Sequence, residues 1–158
     1  MLKTNAIRLL QQAGINFEVR EYKVDEEHLA GIYVAQETGL PVEQVFKTLV
    51  AHGEKRGYLV FCIPVAEELD LKKAAQAVGD KKIEMVHVKD LLGLTGYIRG
   101  GCSPVGMKKK FPTYFDETAL LWDKIAVSAG VRGGQVYADR AQLIEYIGAQ
   151  CVDLTQNV

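Results

Sequence analysis

Disulfides, a membrane span and a charge surplus are all missing from this 158-residue chain. The three cysteines, Cys62, Cys102 and Cys151, are widely spaced and odd in number. No disulfide framework is therefore expected, and the thiols read as reduced ones in a cytosolic protein. The longest apolar runs, such as Tyr58 to Ile63, fall far short of the ~20 residues that a bilayer-spanning helix needs. The opening Met1-Leu2-Lys3-Thr4-Asn5 has no apolar stretch of the secretory kind, which points to the cytoplasm. Lys and Arg number 19 against 20 Asp and Glu, a formal net charge of −1. Bulk attraction to nucleic acid is not expected from that balance, although a local basic patch remains compatible with it.

Further absences narrow the chemistry. His28, His52 and His87 stand alone, without an HxxxH or CxxC partner, so no metal site is expected. No Gly-x-Ser-x-Gly elbow occurs for a serine hydrolase, and no Gly-Lys-Ser/Thr ending for a P-loop. Gly-rich signatures for dinucleotides are missing as well. Cys102 lies in a glycine loop, but no motif ties it to a base, so a packed thiol is the better reading than a nucleophile.

What is present describes one ordinary globular domain spanning residues 1–158. The hydrophobic fraction of 48% is enough to build a core at this length without staples. Gly and Pro are scattered as punctuation, with no linker or repeat. Thr4 to Ala13 reads as a helix capped by Thr4 and ended by Gly14, and Phe17 to Tyr22 alternates like a half-buried strand. Ile32 to Thr38 is a short helix stopped by Gly39, with Pro41 opening the next turn. Phe46 to Ala51 and Tyr58 to Ile63 form a hairpin around the polar segment 53–57. Leu71 to Val78 is a helix between Asp70 and Gly79, and Lys89 to Leu92 a helical turn. Thr113 to Phe115, Ile125 to Ser128, Gln135 to Ala138 and Cys151 to Leu154 read as strands, with a capped helix over Asp139 to Ile147. Strands joined by both hairpins and helices predict a mixed α+β or α/β fold.

Three places carry candidate chemistry. Lys47 shares a strand face with Leu49 and Ala51, while Phe46, Thr48 and Val50 share the other. Both faces read as buried, so Lys47 either orients an anion or carbonyl in a cleft, or packs its stem and sends its head into water. The loop Gly100-Gly101-Cys102-Ser103-Pro104-Val105-Gly106 can bring backbone N–H groups close to developing negative charge, or can simply be a tight turn. Ser128-Ala129-Gly130 ends a strand, where Ser128 either donates to a ligand or terminates the strand. Between Asp90 and Asp116 there is no acidic residue, whereas Arg99, Lys108, Lys109 and Lys110 lie in that window. Lys72, Lys73, Lys81 and Lys82 make a second basic region, compatible with phosphate contact or with a solvated face.

Taken in order, these pieces resemble the YbaK/EbsC-type aminoacyl-tRNA deacylases, related to the editing domain of bacterial prolyl-tRNA synthetases. The resemblance is carried by Val45-Phe46-Lys47-Thr48-Leu49, Leu69-Asp70-Leu71-Lys72-Lys73-Ala74-Ala75, Lys82-Ile83-Glu84-Met85, the stretch Thr95 to Gly106, and Val127-Ser128-Ala129-Gly130. It implies a compact domain with a mixed, largely antiparallel β-sheet or barrel-like core flanked by helices. It also implies removal of mischarged cysteine from proline tRNA, with no cofactor and with prolyl-tRNA synthetase as a partner. On this resemblance Lys47, Gly100 and Gly101 are the catalytic set, and Tyr22, Thr48, Ser103, Ser128 and Gly130 bind substrate. In cysteine-specific members the substrate's own thiol attacks its ester, leaving the enzyme to anchor the aminoacyl-adenosine end through Lys47 and to stabilise the oxyanion. Three positions depart from close relatives: Ala30 stands for a Phe, Gln135 for an acidic residue, and Cys102 for an aliphatic one. These departures leave open an editor of another small amino acid, such as alanine, acting through water. A non-catalytic module that holds a tRNA end or a partner is the reading from a different class.

Overall fold

The computed structural model describes residues 2–25, 27 and 30–156, so His28 lies outside the described residues. Helix α1 (Asn5–Gln12) starts where the Thr4 hydroxyl accepts the Ile7 N–H at 3.1 Å, the usual way a helix satisfies an orphan donor. It buries Ala6, Ile7 and Leu10, spaced at i, i+1 and i+4 along one face. Strand β1 (Phe17–Glu21) follows, then α2 (Gly31–Thr38), which ends on Gly39 at φ 74°. That left-handed conformation suits glycine. The hairpin of β2 (Phe46–Gly53) and β3 (Gly57–Pro64) sets Lys47 opposite Ile63 and Thr48 opposite Cys62. Helix α3 (Leu71–Val78) is capped by the Asp70 carboxylate, which accepts from Lys72 N–H and Lys73 N–H. Beyond it come β4 (Ile83–Met85), α4 (Val88–Thr95), β5 (Thr113–Asp116), β6 (Lys124–Ser128), β7 (Gly134–Asp139), α5 (Arg140–Ile147) and β8 (Gln150–Val152).

The strands form two sheets. The smaller is antiparallel in the order β1-β7-β6, and the larger runs β4-β2-β3-β5-β8. In the larger, β2 pairs antiparallel with β3 and β4, whereas β3-β5 and β5-β8 are parallel. A parallel bridge from Val45 to Ala126 joins the two sheets. The mixed α/β domain with a largely antiparallel β core flanked by helices is as expected, and its strands divide between two sheets joined at this bridge. Strand alternation decides what each face does. Phe46, Val50, Val60 and Phe115 of the large sheet pack with Ile125, Val127, Val136 and Ala138 of the small one, together with α1 and α5. The opposite face of the large sheet lays Ala51, Leu59, Phe61 and Ile63 against Ala74, Ala75 and Val78 of α3. On the outer face of the small sheet, Ala126 and Tyr137 meet Ala35 and Leu40, together with Val45 and Val65.

Two elements depart from the sequence reading. The expected turn over 89–92 is a full helix, Val88–Thr95, in which the Thr95 hydroxyl donates to Leu91 O at 2.8 Å. Strand β4 was not anticipated. It has three residues, of which only Ile83 is buried, and it exists through pairing with Ala51–Gly53.

The end of the hairpin distant from Lys47 is clamped by one carboxylate. Asp80 accepts from Arg56 N–H at 2.8 Å, Lys55 N–H at 3.1 Å, Lys81 N–H at 2.6 Å and Lys82 N–H at 3.3 Å. It also packs over Gly53, where a Cβ would collide with the carboxylate. Desolvation disfavours the charge of Asp80, but the amides of Arg56, Lys55, Lys82 and Lys81 outweigh it and hold the carboxyl below its ordinary 3.8. A folded pKa below the unfolded one stabilises the protein above the unfolded value, and the benefit is lost as pH falls through the folded value. Asp80→Asn is therefore expected to melt at a lower temperature than the wild type near neutral pH. In thermal melts recorded at decreasing pH, that gap should close once the solution falls below the carboxylate range.

Candidate active site

A cavity of about 500 Å³ opens where five segments meet. They are the start of α2, the stretch 45–49 entering β2, the segment 65–68 after β3, the loop 99–102, and the facing residues Ser128 and Gln135 of β6 and β7. Close approach at Gly31 helps shape it, since a Cβ there would lie 2.5 Å from Val65 Cβ. The predicted burial of both faces around Lys47 is corrected at this point. Phe46 and Val50 are buried, but Lys47, Thr48 and Leu49 between them are half-buried, because this part of the strand faces the cavity.

Lys47, Thr48, Gly100 and Ser128 converge on this space. Lys47 makes no ion pair or hydrogen bond among the described residues, so its ammonium is available to an occupant. Arg99 adds a second cation to the lining, and Glu68 is the one carboxylate among its described residues. That balance favours an electron-rich group such as a phosphate or a polarised carbonyl. The Thr48 hydroxyl lies 3.7 Å from Cys62 Sγ. Gly100, at φ 86°, and Cys102 present backbone N–H groups that meet no acceptor among the described residues.

The remaining predicted residues stand behind the lining. Gly101 N–H donates to Ile98 O at 3.0 Å, so it is committed within the loop. A Cβ on Gly101 would lie 3.0 Å from Arg132 N and Val131 C, which makes this glycine a spacer between two backbones. Ser103 is fully buried and its hydroxyl accepts Val105 N–H at 3.2 Å, fixing the turn. Gly130 N–H donates to Ser128 Oγ at 3.1 Å, and at φ 98° it packs against the Tyr97 ring. Tyr22 N–H donates to Gly133 O at 3.0 Å, and its side chain is half-buried outside the cavity lining. Sequence reasoning missed the contributions of Gly31, Ile32, Val65, Ala66 and Glu68, since only the fold brings them beside Lys47.

Cys102 lines the cavity but is not poised as a nucleophile. Burial pushes its thiol up to about 11, so it stays protonated at neutral pH. Among the described residues no three His, Cys, Asp or Glu side chains gather as a metal site would require. His52 instead packs edge-on to Tyr58, with ring centroids 4.8 Å apart. No helix among the described residues is long and apolar enough to cross a membrane.

Known proteins share this fold. The family model for the aminoacyl-tRNA editing domain matches residues 32–146. A protein of Enterococcus faecalis, provisionally named Cys-tRNA(Pro)/Cys-tRNA(Cys) deacylase EbsC, is 46% identical over 153 residues, or 97% of this chain and 93% of that protein. A crystal structure described provisionally as a trans-editing enzyme for prolyl-tRNA synthetase aligns with TM-score 0.84 at 30% identity, over 99% of this chain and all of that one. A hypothetical protein at 19% identity shares the fold, with TM-score 0.85 over 95% of this chain and 98% of that one. The ordered motifs, the shared fold and a family match across most of the chain lead to one conclusion: this protein belongs to the aminoacyl-tRNA editing domain family.

Proposed function

We propose that this protein is a free-standing, cytoplasmic aminoacyl-tRNA deacylase that removes cysteine mischarged onto proline tRNA. The observation that carries the reading is the composition of the cavity. Among the described residues, a lysine without an ion-pair partner and loop amides without acceptors line it, and no nucleophile is paired with a base there. Such a site can hold an ester and stabilise an oxyanion, and it leaves the attacking group to be supplied by substrate or water.

In the cysteine case the substrate thiol attacks its own ester carbonyl. A carbon–sulfur bond forms, the carbon–oxygen bond to the tRNA breaks, and the thiol proton ends on the released ribose hydroxyl. Water then opens the cyclic thioester to free cysteine. Holding both groups in one molecule supplies a large entropic advantage, set against ring strain. Lys47 anchors the aminoacyl-adenosine end, and the N–H groups of Gly100 and Cys102 are the candidate oxyanion donors. Gly101, Ser103 and Gly130 act by holding these groups in place. A second reading is favoured by Ala30 at the cavity wall, which leaves room for alanine esters cleaved by water. The near-zero net charge further implies weak intrinsic tRNA affinity, so selectivity for proline tRNA is assigned in part to a complex with prolyl-tRNA synthetase.

Purified protein should release cysteine from Cys-tRNA(Pro) in the presence of EDTA. Lys47→Ala should lose about 100-fold or more of that rate, the scale seen when one stabilising contact is removed. Release from Ala-tRNA(Pro) alone would transfer the assignment to the alanine reading, and tight tRNA binding without release from any ester would make the protein a binding module. Because the thiol of Cys102 titrates near 11, Cys102→Ser should retain deacylation. Mass-spectrometric alkylation of Cys102 by iodoacetamide should be slow at neutral pH and accelerate only as the solution approaches that value. Abolished activity in Cys102→Ser with its melting temperature preserved would instead mark the protein thiol as the nucleophile.

A further inference from the structure

The two basic stretches of the sequence differ once folded. Among Lys72, Lys73, Lys81 and Lys82, two are paired: Lys73 Nζ lies 3.1 Å from Asp153 Oδ2 and Lys82 Nζ 3.0 Å from Glu84 Oε1. Lys108, Lys109 and Lys110 are all exposed, and their side chains make no ion pair or hydrogen bond among the described residues. No acidic residue occurs between Asp90 and Asp116 to offset them along the chain. In a protein of net charge −1, three free neighbouring cations are a local concentration of positive charge, the footprint of a phosphate-binding surface.

The backbone that carries these lysines is fixed in place. Lys108 N–H donates to Thr95 O at 2.9 Å at the end of α4, and Thr113 Oγ1 donates to Phe111 O at 3.0 Å at the start of β5. Gly106 is seated so closely on α1 that a Cβ would lie 3.0 Å from Leu9 Cδ1. Lys109 and Lys110 line a cleft of about 350 Å³ together with Met107, Phe111 and Tyr146, and no carboxylate is among its described lining residues. This cleft shares no lining residue with the active-site cavity, yet one loop builds both: Arg99, Gly100 and Cys102 face the cavity, and Lys109 follows Cys102 by seven residues. A chain of that length spans at most about 25 Å. That distance is about seven steps of a stacked polynucleotide strand, at roughly 3.4 Å each.

Resting on the deacylase reading, we propose that Lys109 and Lys110, with Lys108 beside them, bind the phosphate backbone of the tRNA acceptor arm while its 3′ end occupies the cavity. The lysines neutralise phosphates, and the cleft beside Phe111 and Tyr146 offers the strand an apolar and aromatic floor. Contacts of this kind are independent of base sequence. The surface therefore holds the arm in place and leaves the choice of tRNA to other contacts.

The test is fluorescence anisotropy of a labelled, uncharged RNA hairpin carrying the acceptor arm, titrated with protein at several salt concentrations. The wild type should bind at low salt. Lys109→Gln/Lys110→Gln should bind about tenfold or more weakly, with a slope of log affinity against log salt shallower by roughly one per lysine. Lys109→Gln alone should give about half of that change in slope. Lys72→Gln/Lys81→Gln removes the same charge elsewhere on the surface and should bind within about twofold of the wild type, and all variants should keep the wild-type melting temperature. Equal weakening by the two double variants overturns the proposal, because net charge alone then accounts for the loss. Wild-type affinity in Lys109→Gln/Lys110→Gln overturns it as well and assigns these lysines to another partner, such as an acidic protein surface. No binding by the wild type at low salt also overturns it. An anticodon-arm hairpin of equal length, bound as tightly and weakened as much by the same double variant, overturns the assignment to the acceptor arm. Because uncharged RNA reports binding without turnover, deacylation of Cys-tRNA(Pro) by the wild type, measured in parallel, reports separately on the deacylase reading.

Discussion

At Gly101 two stretches of backbone, the loop after α4 and the turn between β6 and β7, come together with no room for a side chain between them. Much of the site depends on that approach. The β6-β7 turn is also where α1 is anchored, since the Thr4 hydroxyl that caps the helix donates to Ala129 O at 2.6 Å. Arg132 Nε reaches back to Arg99 O at 2.8 Å, tying the turn to the same loop from the other side. Tyr97 packs against Gly130 and donates to Val105 O at 2.5 Å. Helix, loop and strand ends thus share one junction, and Gly100, which lines the cavity, is held at its edge. A rigid support of this kind lets a loop position catalytic groups without reorganising during the reaction.

Elements governed by local chemistry were legible in the sequence. Thr4, Asp70 and Asp139 cap helices as their side chains predict, and Gly39, Gly79 and Gly148 end them in the left-handed conformation. The hairpin around 53–57 was readable for the same reason, with polar residues and glycine between two apolar runs. Strand β4 was not, because its one buried side chain gives no period and its existence depends on an edge supplied by β2. The division into two sheets was equally hidden, since alternation reports which residues share a face but not which strand is the neighbour.

The same distinction applies to the site. Lys47 could be noticed because a charge in an apolar strand is unusual, and the glycine loop because its composition has few other uses. Neither feature located the cavity. Its walls come from residues separated by up to about a hundred positions, and Glu68, Val65 and Gln135 carry no local mark of their role. Within the loop, glycines adjacent in sequence divide the work. The Gly100 amide meets no acceptor among the described residues, while Gly101 spends its own on Ile98 and keeps the two backbones close. Composition alone could not separate these roles, since it records that a position lacks a Cβ and not which neighbour requires it.

The Asp80 clamp also acts as a parity device for the active site. It holds the tip of the hairpin, six residues from Lys47, which is roughly 20 Å along an extended strand. Strand residues face alternate sides, so whether Lys47 or Thr48 looks toward α3 is decided by whether the count from that tip is odd or even. One residue gained or lost within β2 would exchange the two, and a pair would restore them. The geometry of the ammonium is thereby set by arithmetic at the distant end of the strand, and this length of chain can vary only in steps of two.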